Sequence, residues 1–229
     1  MAALPLQNQI SIHPSSVVAA DTDLRGIITI GPQCVLHPKC TILSPKGPLI
    51  IGRGNIFEEN TVLINRSVTP MRIGDWNLFE VGARIESPVI GNHNTFEPKS
   101  RTTSLVSIGS NCCISAGVIL LPQITTEASS PTPLPSSSSS EASEGESEGG
   151  GMEVQVQKKE QKVEEEAEML PDFTSVFGFG PDVVRRRWTG EGEGQARALH
   201  VKHLEYLRET LPKFNKVRPT DGAKTPVAR

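Results

Sequence analysis

The chain has 229 residues and a net charge of −3, with 36 % hydrophobic and 4 % aromatic residues. No run of about 18 apolar residues occurs, which excludes a helical membrane span. A negative total charge without a basic stripe interleaved with aromatics excludes a nucleic-acid surface.

The opening MAALPLQNQI has neither a basic start nor a long apolar core, so no secretory signal is expected there. From Ile12 onward apolar residues recur every six positions: Ile12, Val18, Leu24, Ile30, Leu36, Ile42, then Ile51, Phe57, Leu63, then Ile73, Phe79, Ile85. The series continues as Ile90, Phe96, Thr102, Ile108, Ile114, Leu120. Six fits neither the helical period nor simple alternation. It fits a triangular coil in which each hexapeptide makes one short strand and one corner. The frame I-G-x-x-N-x-F-E occurs three times, at 51–58, 73–80 and 90–97, with weaker copies at 30–37 and 108–115. A unit this short must stack on copies of itself.

Residues 45–48 and 65–72 carry the excess length between repeats and are expected to form loops budding from corners. Four residues after the lead aliphatics stand small or amide side chains, among them Cys34, Cys40, Asn55, Thr61, Asn77, Ala83, Asn94, Ser100 and Cys112. Backbones stacked about 4.8 Å apart leave room at a corner only for such residues. Asn55, Asn77 and Asn94 should form a ladder of amides, and the glycines after each lead aliphatic should ease the backbone. The four cysteines form no C-x-x-C pair, and three occupy corner positions, as packed, reduced thiols of a cytosolic protein would. Asn65-Arg66-Ser67 is a glycosylation acceptor in form only, since no export signal accompanies it.

Residues 125–168 are different material. From 127 to 168 there are eleven Glu against three Lys, and serines fill 136–140. So little of this can be buried that a disordered insertion is expected. Leu170 and Val176 restore the six-residue spacing, which makes 169–188 the last coil. After the arginines at 185–187, read as a solvated basic corner, a Gly/Glu linker leads to a helical pattern in which Ala196, Leu199, His203, Leu207 and Leu211 sit three or four apart, with Val201 and Leu204 extending the apolar face. Pro212 should stop it, giving 189–212 as linker and helix and 213–229 as a basic, mobile tail. A lone helix of this length is marginal, so it should lie along a flat face of the coil. The expected class is mainly β, with about six to seven triangular coils in residues 1–124 and 169–188.

These repeats resemble the hexapeptide-repeat family, which implies a left-handed parallel β-helix; generic crossover rules would have favoured the opposite hand. That family includes acyltransferases and carbonic anhydrases, so a zinc-containing or acyl-transferring homotrimer is one functional reading. The coil offers His13, His37 and His93, which the simple stack keeps apart, and His200 and His203 sit one helical turn apart. No metal ligand set, cofactor site or catalytic residue is assigned. Glu58, Glu80 and Glu97 recur at one place in successive coils, beside His37 and Ser115. Stacked carboxylates repel unless a cation lies across them. They form either a docking strip for Lys or Arg of a partner or a merely solvated edge.

Three stretches, GPLIIGRGNIFEENTVLIN at 47–65, MRIGDWNLFEVGARIE at 71–86 and IGNHNTFEPKS at 90–100, with HLEYLRETLPKF at 203–214, are similar to the β-helical subunits of dynactin, the activator of dynein. That resemblance implies a non-enzymatic structural subunit in the cytoplasm and cytoskeleton. Its expected partners are the β-helical subunit 5, subunit 4 and an actin-related protein, with neither nucleic acid nor membrane insertion. The insertion at 125–168 departs from the pattern and marks a divergent member.

Overall fold

The computed structural model describes residues 8–123, 168–180 and 182–220. The chain separates into two compact units, residues 1–122 with 166–229, and residues 123–165. The expected disordered insertion lies outside the described residues, except Glu168, which opens a strand.

The first unit is a left-handed parallel β-helix of six complete coils and part of a seventh. On its first face Ile12, Ile30, Ile51, Ile73, Ile90, Ile108 and Leu170 pair in register, one per coil. Val18, Leu36, Phe57, Phe79, Phe96, Ile114 and Val176 do so on the second. Leu24, Ile42, Leu63, Ile85, Thr102 and Leu120 line the third. All are buried, as the six-residue spacing requires. The polar exception, Thr102, is only 3 % exposed, and its hydroxyl accepts the Glu86 N–H at 3.3 Å.

Two columns hold the stack most visibly. Phe57, Phe79 and Phe96 stack with ring centroids 4.6 and 4.7 Å apart and planes within 7° and 10°. Isolated rings prefer offset or edge-on contact; here the strand spacing imposes the face-to-face arrangement. At the corner between the first and second faces, Asn55 Oδ1 accepts the N–H of Asn77 at 2.9 Å, and Asn77 Oδ1 that of Asn94 at 2.9 Å. Asn94 Oδ1 accepts the Cys112 N–H at 2.7 Å. The expected ladder is therefore made both ways: the Asn77 amide donates to Asn55 Oδ1 at 3.0 Å, and each side-chain oxygen also accepts the next coil's backbone N–H. Cys34 substitutes within it: its thiol donates to the Gly52 carbonyl at 3.0 Å, where Asn55 donates an amide to Gly74 at 2.8 Å. Gln33, Trp76, His93 and Asn111 turn this corner with φ between 56° and 60°, a conformation costing a non-glycine residue about 1–2 kcal/mol.

The glycines behind the lead aliphatics serve a different end from the one expected. A Cβ at Gly31 or Gly91 would strike the backbone carbonyl of the coil above. Crowding between coils, and not backbone freedom, requires them.

Several boundaries differ from expectation. Residues 45–48 are no loop: Thr41–Ile51 is one long strand that rounds the third corner alongside Asp23–Ile30, with a register shift between Gly26 and Ile28. The bulge suits Gly26, at φ 103° and pressed on the Ser44 carbonyl. The second excess stretch is a loop built around Asn65, whose amide donates to the carbonyls of Gly47, Pro48 and Thr69 at 3.1, 3.0 and 2.9 Å. The seventh coil supplies Glu168–Leu170 and Thr174–Phe177, and then the chain reverses into Val184–Arg187, antiparallel to the preceding strand.

The helix Glu193–Phe214 lies on the second face, where Leu204, Leu207 and Leu211 pack on Val35 and Ile56, flanked by Val17, Trp76 and Leu78. Burying each leucine contributes roughly 1.5–3 kcal/mol. Pro212 does not stop the helix. In the last turn its ring forfeits a single bond to the carbonyl four residues back, and Leu207 and Leu211 hold the turn in place. The tail is not wholly mobile: the Ala20 N–H donates to Lys216 O at 2.7 Å and the Arg218 N–H to Val18 O at 2.8 Å, while 221–229 lie outside the described residues. No helix among the described residues is long and apolar enough to cross a membrane.

Phe79 has a ring on either side of it, so Phe79→Ala is expected to cost about 3–5 kcal/mol in chemical denaturation, against less than about 1.5 for Phe79→Met. Equal costs would mean that the stacked ring itself, and not the volume it fills, carries the contribution of Phe79.

Candidate functional site

The register of the Phe column places Glu58, Glu80 and Glu97 one above another at the corner between the second and third faces, all half-buried. His37 stands below them and Ser115 above. Glu58 Oε2 accepts the N–H of Val81 at 3.2 Å, and Glu97 Oε2 accepts that of Ala116 at 2.9 Å. Two of the carboxylates thus tie one coil's corner to the next. The equivalent donor for Glu80 would belong to residue 98, a proline with no N–H. The Glu80 carboxylate has no hydrogen-bond partner among the described residues, and no Lys or Arg there pairs with any of the three. Burial, and then the charges of Glu58 and Glu97, raise the Glu80 carboxyl above its ordinary range. His37 turns instead to Glu59, with Nδ1 2.9 Å from Oε1. Burial pushes that carboxyl up, but the His37 hydrogen bond, a backbone N–H and the His37 charge together outweigh it and hold Glu59 below the usual range.

The remaining titratable groups are dispersed. His13 bonds Ser15 at 2.9 Å on the first coil, and His93 lies four coils higher at the same corner. Among the described residues no three His, Cys, Asp or Glu side chains are grouped to hold a metal ion. His200 is not the solvated partner of His203 that helical spacing suggests. Its Nε2–H donates to the Gly54 carbonyl at 2.8 Å and its ring meets Trp76 edge-on at 5.9 Å, anchoring the helix. A cleft of about 210 Å³ beside it is lined by Trp76, His93, Thr95, Cys113, Trp188 and His200. Burial and then Glu97 push the Cys113 thiol up to about 12, so it is no thiolate nucleophile near neutral pH. Cys34, Cys40 and Cys112 are buried free thiols, pushed by burial to about 11, 12 and 11. The arginines at 185–187 lie on the antiparallel strand and not on an open corner. Arg185 pairs with Glu168 and donates to the Leu121 carbonyl.

No family model matches the chain. Dynactin subunit 6 of Nematostella vectensis is 36 % identical over 126 residues, covering 50 % of this chain and 68 % of that protein. The subunits 6 of Danio rerio and Xenopus tropicalis are 35 % and 37 % identical over 120 and 123 residues, 47 % and 49 % of this chain. The chain spans 62 % and 61 % of the length of those two relatives. Among solved structures, a hexapeptide transferase family protein from Anaplasma phagocytophilum has a TM-score of 0.49 and 11 % identity, covering 90 % of this chain and 92 % of that one.

Glu80→Gln is expected to raise the melting temperature at pH 7. The folded-state pKa of Glu80 lies above its unfolded value, so its penalty grows as pH rises through that pKa and is absent well below about 4.5. Glu97→Ala, which removes an acceptor, should instead lower the melting temperature. His200 is shifted the other way, downward by burial. The stability it contributes is present above about pH 6.5 and is lost as pH falls below it, a dependence that His200→Gln should flatten in thermal melts from pH 7.5 to 5.

Proposed function

We propose, since this chain belongs to the dynactin subunit 6 family, that it is a non-enzymatic structural subunit of dynactin. Its place in this reading is the pointed-end subcomplex, beside subunit 5, subunit 4 and an actin-related protein. There it supports dynein-driven transport along microtubules and the attachment of cargo and adaptors, in the cytoplasm and on the cytoskeleton. The observation that carries a scaffold role is the employment of the repeat itself. Ile and Phe fill the core, Asn closes a corner, and two of the three glutamates bind the backbone of the next coil. The polar residues that recur are spent on stacking.

Glu58, Glu80 and Glu97 are the strip that grips a Lys or Arg of a neighbouring subunit, and Glu80 is its centre. An added cation would relieve the repulsion that raises Glu80 and would take the place of the donor missing at Pro98. Affinity purification of the tagged full chain from its native source should recover other dynactin subunits at low salt. Recovery of none would remove this reading, and a zinc-containing homotrimer in sedimentation would favour an enzyme of the hexapeptide-repeat kind. Glu80→Lys should reduce recovery about ten-fold; recovery equal to wild type would leave the strip as a solvated edge.

A further inference from the structure

The three faces of the β-helix differ in what they present outward. The second is covered by the helix Glu193–Phe214. The third carries ion pairs, Asp23 with Arg25 and Glu86 with both Arg84 and Arg66, and Arg101 stands next to Arg84 in the register. Among the described residues no element covers the first face, and the ion pair there, Glu168 with Arg185, lies on its last strand. Its outward column, one residue before each inward aliphatic, includes Thr29, Ile50, Arg72, Val89, Ser107 and Met169. Val89 and Met169 are 40 % and 57 % exposed, Leu105 beside them 38 %, and Ile27 on the second coil 41 %. Arg72 is exposed, with no ion pair or side-chain hydrogen bond among the described residues.

We infer that this first face is the seat of another subunit, one that presents a flat apolar surface with a carboxylate opposite Arg72. The inference rests on the reading of the chain as a dynactin subunit. Seven strands about 4.8 Å apart make a face about 29 Å tall, enough for a specific interface. A guanidinium in the middle of such a surface loses its water on docking, and only a carboxylate across the interface compensates for that. The position of Arg72 also selects against a second copy of this chain. It lies on the fourth of seven coils. Two-fold pairing of the face with itself therefore sets Arg72 against Arg72. Like charges at the centre of an apolar contact disfavour the homodimer and leave a hetero-partner as the occupant.

The test uses the tagged full chain in its native source, with dynactin subunits quantified in the eluate and the pure chain examined by sedimentation and thermal melting. Arg72→Glu and Val89→Glu should each reduce recovery about ten-fold or more while melting like wild type, and Arg72→Lys should retain most of it. Both glutamate variants recovering dynactin as wild type does would overturn the assignment of this face. Wild type recovering no dynactin would remove the functional reading and this inference with it, which is a distinguishable result. A wild-type homodimer dissolved by Arg72→Glu would put a second copy on the face and overturn the hetero-partner.

Discussion

Parallel strands stacked in register place every side chain directly above its equivalent one coil below, at a separation the backbone hydrogen bonds dictate. All else in this fold follows from that constraint. A side chain that tolerates its own image at that distance can be repeated: Phe57, Phe79 and Phe96 lie flat on one another, and Asn55, Asn77 and Asn94 pass a hydrogen bond upward. A side chain that does not tolerate its image needs something else to absorb the conflict. Glu58 and Glu97 find a backbone N–H in the next coil, and Glu80 does not. One proline, Pro98, thus separates a glutamate column with a structural task from one with an unneutralised centre.

The inward columns were legible because they repeat locally and depend on nothing distant. Between Ile12 and Leu120 a ruler six residues long has to be reset only after Ile42, Leu63 and Ile85, and the same ruler spans Leu170 to Val176 beyond the insertion. The choice of face for the helix was also written in the chain. Val17, Val35, Ile56 and Leu78 are the outward neighbours of inward residues and pair in one column, which turns polar at Thr95. An aliphatic column pointing away from the core calls for a cover. That signal lies in the third x of the repeat and is easily passed over beside the recurring Phe.

Other features were illegible for a common reason. The anchoring of His200 on Gly54, the reversal after Phe177 that brings Arg185 to Glu168, and the contact of Val217 with Ala19 join residues far apart in the chain. Pairings of that kind are selected by the finished surface and leave no periodic mark. The continuous strand Thr41–Ile51 was hidden differently: Pro45 and Pro48 read as a loop, yet a gentle corner with a bulged neighbour accommodates them. The glutamate strip sits between these cases. Its alignment follows from the repeat, but the difference among its three members depends on what the coil above offers.

The segment at 216–218 bonds to residues 18–20 of the first coil, after a helix that starts near the seventh. A simple solenoid is a one-dimensional array in which each coil knows only its neighbours, so its ends fray and its middle persists. Here the helix and the segment that follows it join the two ends into a closed circuit. Fraying of the first coil must also strip the helix from the coils above it. The stack is thereby converted from a zipper that opens from either end into a single cooperative unit.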